Sequence, residues 1–281
     1  MVKKVLSYSY IYLILLLMYV PIFVLIAFSF TNATYIGEWN GFSFDLYHAL
    51  FKDQEIMVAL GNTLILAFIS SLISTILGTL GAIGAFYSKK RSRLALENVN
   101  QIPVVNSEIV MALSLTVMFV FMGTMIFHKN IFSFWTLLAG HIVISVPFVY
   151  LNVKPKLRQM DPSLYEAALD LGCAPRTALR KVLIPQIIPG IVSGFLLAFT
   201  LSLDDFIVTA FARGPGLLSG DAAIETLSTL VQAKLKKGPI PMNMRPLTTI
   251  IFLVVLAATI IITIVNSKNS KKTKIRKGRL S

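Results

Sequence analysis

Long apolar stretches alternate with short polar ones along the whole chain. Each apolar stretch has about the 20 residues that an α-helix needs to cross a hydrocarbon core of roughly 30 Å. The pattern predicts six membrane-spanning helices, over residues 5–30, 57–87, 102–127, 131–153, 186–212 and 246–265. We therefore expect an all-α polytopic membrane protein that forms a single transmembrane domain over residues 1–281.

The polar segments between the predicted spans differ in charge. Residues 31–55 hold four acidic residues against one lysine, which indicates an external loop with a helix at the membrane surface. Residues 88–93 form a basic loop, and residues 213–244 a long loop with a helix-like piece at 222–235. Residues 267–281 are polar and basic, so we expect a cytoplasmic tail without a packed structure.

Composition and charge support a membrane protein and set its orientation. Of the residues 56% are hydrophobic and only 14% are charged, while the net charge is +13. Placing both termini in the cytoplasm puts 19 of the 26 basic residues inside, as the positive-inside rule requires. Lys234, Lys236 and Lys237 then lie outside, against the rule. They either contact an acidic partner or stand in a loop that tolerates their charge.

Signals for enzymatic chemistry are absent from the sequence. It has no Walker-type glycine-rich loop, so we expect no ATP hydrolysis by this chain. Its one cysteine, Cys173, excludes an intrachain disulfide, and no His, Cys or carboxylate group has metal-ligand spacing. His48, His128 and His141 are scattered, and we interpret them as structural. The chain is thus expected to be neither an enzyme nor a holder of a metal or cofactor.

Residues 161–185 are unlike the apolar segments on either side. Asp161 can cap a first short helix, whose first turn includes Pro162, and Gly172 is a natural stop. Pro175 can open a second helix, which we expect to end before Pro185. Two short amphipathic helices between membrane spans are typical of a docking surface.

This stretch resembles the EAA loop of the membrane subunits of ABC importers. The likeness rests on Glu166-Ala167-Ala168, Gly172, Val182, Ile184 and Pro185. It implies a type I ABC importer permease fold, in which residues 161–185 form a cytoplasmic coupling helix that sits in a cleft of a separate ATPase. The positions that it assigns to ATPase coupling are Glu166, Ala167, Ala168, Asp170, Gly172, Arg180 and Pro185.

Three acidic residues stand in apolar surroundings: Glu108, Asp204 and Asp205. A carboxylate deep in a span costs roughly 2.5–3.5 kcal/mol on insertion scales. The predicted spans contain no basic residue, so the compensating charge could be a cationic cargo. At 1.5 Å per residue, Asp204 lies about 27 Å along its span and Glu108 about 9 Å from the inner end of its own. The alternative is that the aspartates lie hydrated and idle at the outer mouth.

A second resemblance concerns the cargo. Residues 108–112, 166–172, 179–181, 199–205 and 214–215 resemble the second permease subunit of spermidine/putrescine importers. This implies polyamine passage along Glu108, Ser202, Asp204 and Asp205. It also implies a second permease subunit, two ATP-binding cassette subunits that use ATP and Mg, and an extracytoplasmic polyamine-binding protein. The long Lys-rich loop at 213–244 and the lack of an acidic residue in 242–246 depart from that family.

Two other functions remain open at this point. A permease of the same fold could import iron, an opine or a small cationic amine, and uptake measurements would separate these cargos. A self-contained secondary carrier or an integral membrane enzyme would need no ATPase, so its failure to co-purify with one would favour that class. The residues at 161–185 argue against the second alternative.

Overall fold

The computed structural model describes residues 2–33, 37–161, 163–213, 224–237 and 242–256, and every regular element in those ranges is a helix. The helices are α1 (Val2–Phe28), α2 (Asp45–Lys52), α3 (Gln54–Tyr87), α4 (Lys90–Val105), α5 (Glu108–Phe121), α6 (Phe134–Gln159), α7 (Ser163–Asp170), α8 (Pro175–Ala178), α9 (Ile184–Asp204), α10 (Ile207–Ala212), α11 (Leu227–Lys237) and α12 (Met244–Leu256). Wide π-helical turns follow α5, at Met122–Phe127, and α8, at Leu179–Leu183.

Five helical stretches are long and apolar enough to cross a membrane. They are Tyr8–Phe28, Gln54–Tyr87, Glu108–Phe127, Phe134–Gln159 and Pro175–Asp204. The predicted sixth span, residues 246–265, begins within α12 and continues beyond the described residues. The predicted tail at 267–281 lies entirely outside the described residues. The all-α membrane architecture is therefore confirmed, and the number six stays a prediction.

The third span begins later than its apolar pattern predicts. Residues 102–105 belong to α4, which is a separate helix. The first turn of α4 begins at Lys90, so residues 90–93 of the predicted basic loop are helical. Val105 is 81% exposed, and the backbone is extended at Asn106 and Ser107. The Ser107 hydroxyl then accepts a hydrogen bond from the Val110 amide at 3.4 Å and caps α5. Because this polar pair interrupts the apolar run, Glu108 starts the spanning helix instead of lying inside it.

The chain divides into two compact units, Met1–Met57 with Ala233–Ser281, and Val58–Gln232. In the second unit, α6 packs along α9 and glycines set how closely the helices approach. A Cβ on Gly78 would stand 2.7 Å from the Cβ of Val149, and one on Gly194 would stand 3.2 Å from the Val149 Cα. Val149, Val153 and Ile187 are fully buried in this core. Helices α3, α6 and α9 therefore meet almost backbone to backbone.

The first unit joins segments from the two ends of the chain. Lys234 on α11 lies 2.9 Å from Glu55 and 4.0 Å from Asp53. Arg245 donates a hydrogen bond through Nη1 to the carbonyl of Ala33, at 2.8 Å. Of the two interpretations of Lys234, the structure therefore supports an acidic partner, and that partner belongs to the same chain. The helix predicted near residues 222–235 is α11, which begins five residues later, at Leu227.

Candidate functional site

The exposed loop between α6 and α9 begins with a helix cap. The Oδ1 atom of Asp161 accepts hydrogen bonds from the Ser163 hydroxyl at 2.7 Å and from the Ser163 amide at 3.0 Å. These bonds, chiefly that from the hydroxyl, hold the pKa of Asp161 below its ordinary value. The predicted cap at the start of α7 is confirmed, while Pro162 lies outside the described residues.

Helix α7 ends at Asp170, and two residues later the chain turns into the left-handed region at Gly172, at φ 83°. The Gly172 amide donates to the Leu169 carbonyl at 2.9 Å, and the Cys173 amide donates to the Ala168 carbonyl at 3.1 Å. This pair of bonds is the Schellman arrangement, which satisfies the last carbonyls of a helix. Glycine takes this φ without the steric cost that a Cβ would bring. The predicted stop is confirmed.

The second predicted helix does not end before Pro185. It runs from Pro175 through the π-helical turn into α9 and stops only at Asp204. The wide turn at Leu179–Leu183 lies directly before Pro185, which occupies the first turn of α9, where a missing amide proton is tolerated. One continuous helix therefore joins the exposed loop to the acidic pair.

Most of the residues predicted for ATPase coupling are exposed. Helix α7 has no buried residue, and Leu171 is 86% exposed. Tyr165 faces the end of α3, where its ring centre lies 5.3 Å from that of Tyr87. Exposed positions include Glu166, Ala167, Asp170, Gly172, Arg180 and Pro185, and Ala168 is half-buried. The geometry suits docking onto another protein, and the individual roles stay predictions.

The fifth predicted span is broken in two at the acidic pair. Helix α9 ends at Asp204, and α10 begins at Ile207. Asp205 accepts hydrogen bonds from the amide of Val208 at 3.3 Å and from the amide and hydroxyl of Thr209 at 2.8 and 2.9 Å. The carboxylate thus caps α10 from inside the protein, with a side chain only 12% exposed. The predicted fifth span therefore exists, but its predicted end at residue 212 is wrong, because the helix stops at Asp204.

A buried histidine connects this cap to two neighbouring helices. His141 on α6 is 3% exposed, and its Nδ1 lies 2.7 Å from the Ser202 hydroxyl. Its Nε2 lies 3.0 Å from the Thr209 hydroxyl and 3.5 Å from Asp205 Oδ2. The Ser202 hydroxyl also accepts a hydrogen bond from the Ser70 hydroxyl at 2.9 Å. Ser70 lies halfway along the 34-residue helix α3. Sequence reasoning missed this network, which no spacing signals since its members are far apart in the chain.

The structure separates the four residues predicted for cargo passage. Ser202 and Asp205 lie together within the network, and Ser202 is 4% exposed. Asp204 is exposed and has no hydrogen-bond partner within the described ranges, and Glu108 is exposed at the start of α5. Asp205 therefore does not need a cationic cargo for compensation, because its carboxylate accepts hydrogen bonds from Val208 and Thr209.

A cluster of charged side chains that the sequence analysis did not predict lies at the C-terminal end of α6. Glu97 on α4 is 2.8 Å from Lys154, 3.8 Å from Arg158 and 3.9 Å from Arg93. The hydrogen bond from Lys154 lowers the pKa of Glu97 more than any other contact. Only the spacing of four between Arg93 and Glu97 could have indicated part of this cluster. It fastens α4 to the end of α6 that leads into the exposed loop.

Spanning helices, an exposed loop between two of them and a carboxylate pair at a helix break are features of a membrane transport subunit. Residues 77–274 match the family described as the binding-protein-dependent transport system inner membrane component. The chain belongs to this family of ABC importer permeases, and the resemblance seen at residues 166–185 is confirmed. It is a multi-pass protein of the bacterial inner membrane.

Curated relatives cover most of the chain. It is 31% identical over 251 residues to the spermidine/putrescine transport system permease protein PotC of Haemophilus influenzae, spanning 89% of this chain and 92% of the relative. It is 32% identical over 222 residues to the putrescine transport system permease protein PotI of Escherichia coli, spanning 79% of this chain and 76% of the relative.

Solved structures share the fold at low identity. A bacterial ABC transporter involved in the import of the acidic polysaccharide alginate covers 95% of this chain and 96% of its own, at a TM-score of 0.65 and 15% identity. An amino acid ABC transporter covers 79% of this chain and 97% of its own, at a TM-score of 0.53 and 21% identity. They confirm the ABC permease fold.

Proposed function

We propose that this chain is one permease subunit of an ATP-driven importer of polyamines, of the spermidine and putrescine class. The observation that carries the proposal is the identity of about 30% to PotC over 86–92% of both chains. The structure supports it through an exposed carboxylate at the helix break. The fold neighbours carry no weight on cargo, since they share the fold alone.

The chemistry of the α9–α10 break suits a cationic cargo. Polyamine ammonium groups only donate hydrogen bonds, and carboxylates only accept them. Asp204 is exposed at the end of α9, and no Lys or Arg occurs between Ile184 and Ala212. An anionic cargo would instead favour a basic or N–H-rich surface. Asp204 and Glu108 are therefore the contacts that we propose for cargo at two levels of the route.

Ser202 and Asp205 take a supporting role in this proposal. Their polar atoms are committed to His141, Ser70 and the start of α10. We assign them to holding the break in place, so that they affect passage through the position of Asp204. Ser70 stands midway along α3, which supports a site near the middle of the membrane and not at its outer mouth.

The proposed assembly follows from the family. This subunit pairs with a second permease subunit, two ATP-binding cassette subunits dock on the loop at 161–185, and a polyamine-binding protein docks outside. Both termini lie in the cytoplasm, with a basic tail at 267–281. ATP and Mg are used by the ATPase subunits, and this chain itself is neither an enzyme nor the holder of a cofactor.

The continuous helix Pro175–Asp204 gives this assembly a mechanical link. It begins in the loop that we propose for ATPase docking and ends at the residue that we propose for cargo contact. Closure of the ATPase dimer would move the loop, and the helix would carry that motion to Asp204. Alternating access then exposes the carboxylate first to the outside and later to the cytoplasm.

The test is uptake of labelled spermidine by cells that lack their own polyamine importers, supplied with the neighbouring transporter genes. We expect uptake only when this chain is present, and a loss of at least about tenfold for Asp204→Asn, as expected when a charge-assisted contact is removed. Glu38→Gln serves as the control because it removes an exposed carboxylate that belongs to neither the predicted cargo positions nor the predicted coupling positions.

The outcomes separate the alternatives. Absence of spermidine uptake by an assembled, ATP-hydrolysing complex would overturn the polyamine cargo and direct attention to iron, opines or other amines. Uptake without any ATPase subunit would instead favour a secondary carrier.

A further inference from the structure

His141 occupies a position that simple core packing does not explain. Its ring is buried among groups from three other helical segments: Ser70 on α3, Ser202 on α9, and Asp205 with Thr209 at the start of α10. Both ring nitrogens have polar partners, which an apolar side chain of the same size could not satisfy. The imidazole therefore joins the two sides of the α9–α10 break.

The hydrogen bonds assign the protons of this network. The Thr209 hydroxyl donates to Asp205 Oδ2, so its oxygen accepts from His141 Nε2–H. In the neutral ring Nδ1 is then an acceptor, and the Ser202 hydroxyl donates to it. Ser202 in turn accepts from Ser70. Every bond points the same way, from α3 through His141 to the carboxylate of Asp205, and no donor faces another donor.

This ordered chain fixes the backbone on both sides of Asp204. Ser202 lies two residues before Asp204 at the end of α9, and Asp205 follows it and caps α10. We infer that His141 is a positioning residue for cargo passage, which holds the α9–α10 break so that the Asp204 carboxylate faces an ammonium group of the cargo. This inference rests on the proposed function, because Asp204 is its proposed cargo contact.

The inference requires a side chain that donates at one end and accepts at the other. Glutamine supplies an N–H donor and a carbonyl acceptor, whereas methionine fills a similar volume without a donor. We therefore compare His141→Gln with His141→Met. His128→Gln is the matched control, since His128 is exposed on the loop after α5.

A first measurement reads the position of residue 204 without any cargo. The single cysteine, Cys173, is replaced by serine, and Asp204→Cys is introduced into the assembled complex. We expect labelling of the thiol by a water-soluble maleimide to change at least about threefold in His141→Met and to stay unchanged in His141→Gln and His128→Gln. Unchanged labelling in His141→Met, or equal changes with Met and Gln, would overturn the inference.

A second measurement reads transport in the chain that retains Asp204. We expect His141→Met to raise the KM for spermidine about tenfold, with His141→Gln near the unaltered value. In an Asp204→Asn background, His141→Met should raise KM no further, because the group that it positions is gone. A full additional effect there would show a general structural defect and contradict the inference.

The two measurements fail separately. If the unaltered complex takes up no spermidine, the proposed function fails, and the labelling alone still decides whether His141 positions residue 204. If labelling changes but the KM for spermidine does not, the cargo role of His141 is overturned while the polyamine function stands.

Discussion

Two aspartates start short helices in this protein, and their surroundings differ. Asp161 caps α7 in a fully exposed loop, through bonds to the neighbouring Ser163. Asp205 caps α10 inside the helix bundle, and its environment includes His141, a residue distant in the chain. The exposed cap shapes a surface that can be remodelled by a partner. The cap at Asp205 fixes a site in place, because its side chain is only 12% exposed and little water can replace a lost bond.

The largest effect is expected from removing the buried cap. Asp205→Ala leaves the Thr209 amide, the Thr209 hydroxyl and the Val208 amide without their acceptor, which costs about 3 kcal/mol or more at 1–3 kcal/mol per buried group. We expect a lower thermal midpoint of the purified complex and less assembled protein. Asp205→Asn keeps one acceptor oxygen and should be milder.

Asp204→Ala is the matched control for that variant. It removes the adjacent exposed carboxylate, so the thermal midpoint should hold while spermidine uptake falls. If Asp204→Ala lowered the thermal midpoint as much as Asp205→Ala, the proposed difference between the two carboxylates would be wrong.

A smaller effect is expected from Gly172→Val, which places a β-branched residue at φ 83°. The left-handed conformation costs roughly 1–2 kcal/mol for a residue with a Cβ, and the cost falls on the loop alone. ATPase activity stimulated by the binding protein should drop, while the thermal midpoint of the membrane subunits stays the same. Gly84→Val is the control, since a Cβ at Gly84 meets no atom within 4 Å and the residue is helical. A loss of assembled protein in Gly172→Val would show that the loop supports the fold as well.

The smallest effect concerns the charge on Asp161. The hydrogen bonds from Ser163 lower its pKa below the ordinary value of an aspartate, so the ionised group stabilises the folded loop at any pH above that ordinary value. That stabilisation is lost only as the pH falls through the lowered folded-state pKa. Hydrogen exchange of the Ser163 amide, corrected for its intrinsic rate, should therefore be constant between about pH 8 and 5, and faster in Asp161→Ala. Protection that changed within that range would identify a different titrating group.

Local signals in the sequence were sufficient for the exposed loop. Asp161 and Gly172 act on residues within a few positions of themselves, so their cap and stop could be predicted. The apolar runs likewise predicted the spanning helices, but not their ends, because the end of a span depends on polar pairs such as Asn106-Ser107.

The buried network could not be predicted in the same way. His141 and Ser202 are 61 positions apart, and Ser70 and Ser202 are 132 apart. Only the packing of α3, α6 and α9 brings them together, and no periodicity encodes which serine meets which nitrogen. Glu97 and Lys154 are a second case, since each alone looks like an ordinary charge on a helix. The sequence could place the acidic pair at the site, but it could not assign exposure to Asp204 and burial to Asp205.

The pairing of Arg245 with the Ala33 carbonyl bears on how the chain is made. The two residues are 212 positions apart, so the segment after α1 cannot form this hydrogen bond until Arg245 has been synthesised. The unit Val58–Gln232 contains its own core and can fold while synthesis continues. The segment after α1 is therefore fixed late, although α1 before it is made first, and Tyr8–Phe28 is 0% buried by the described protein.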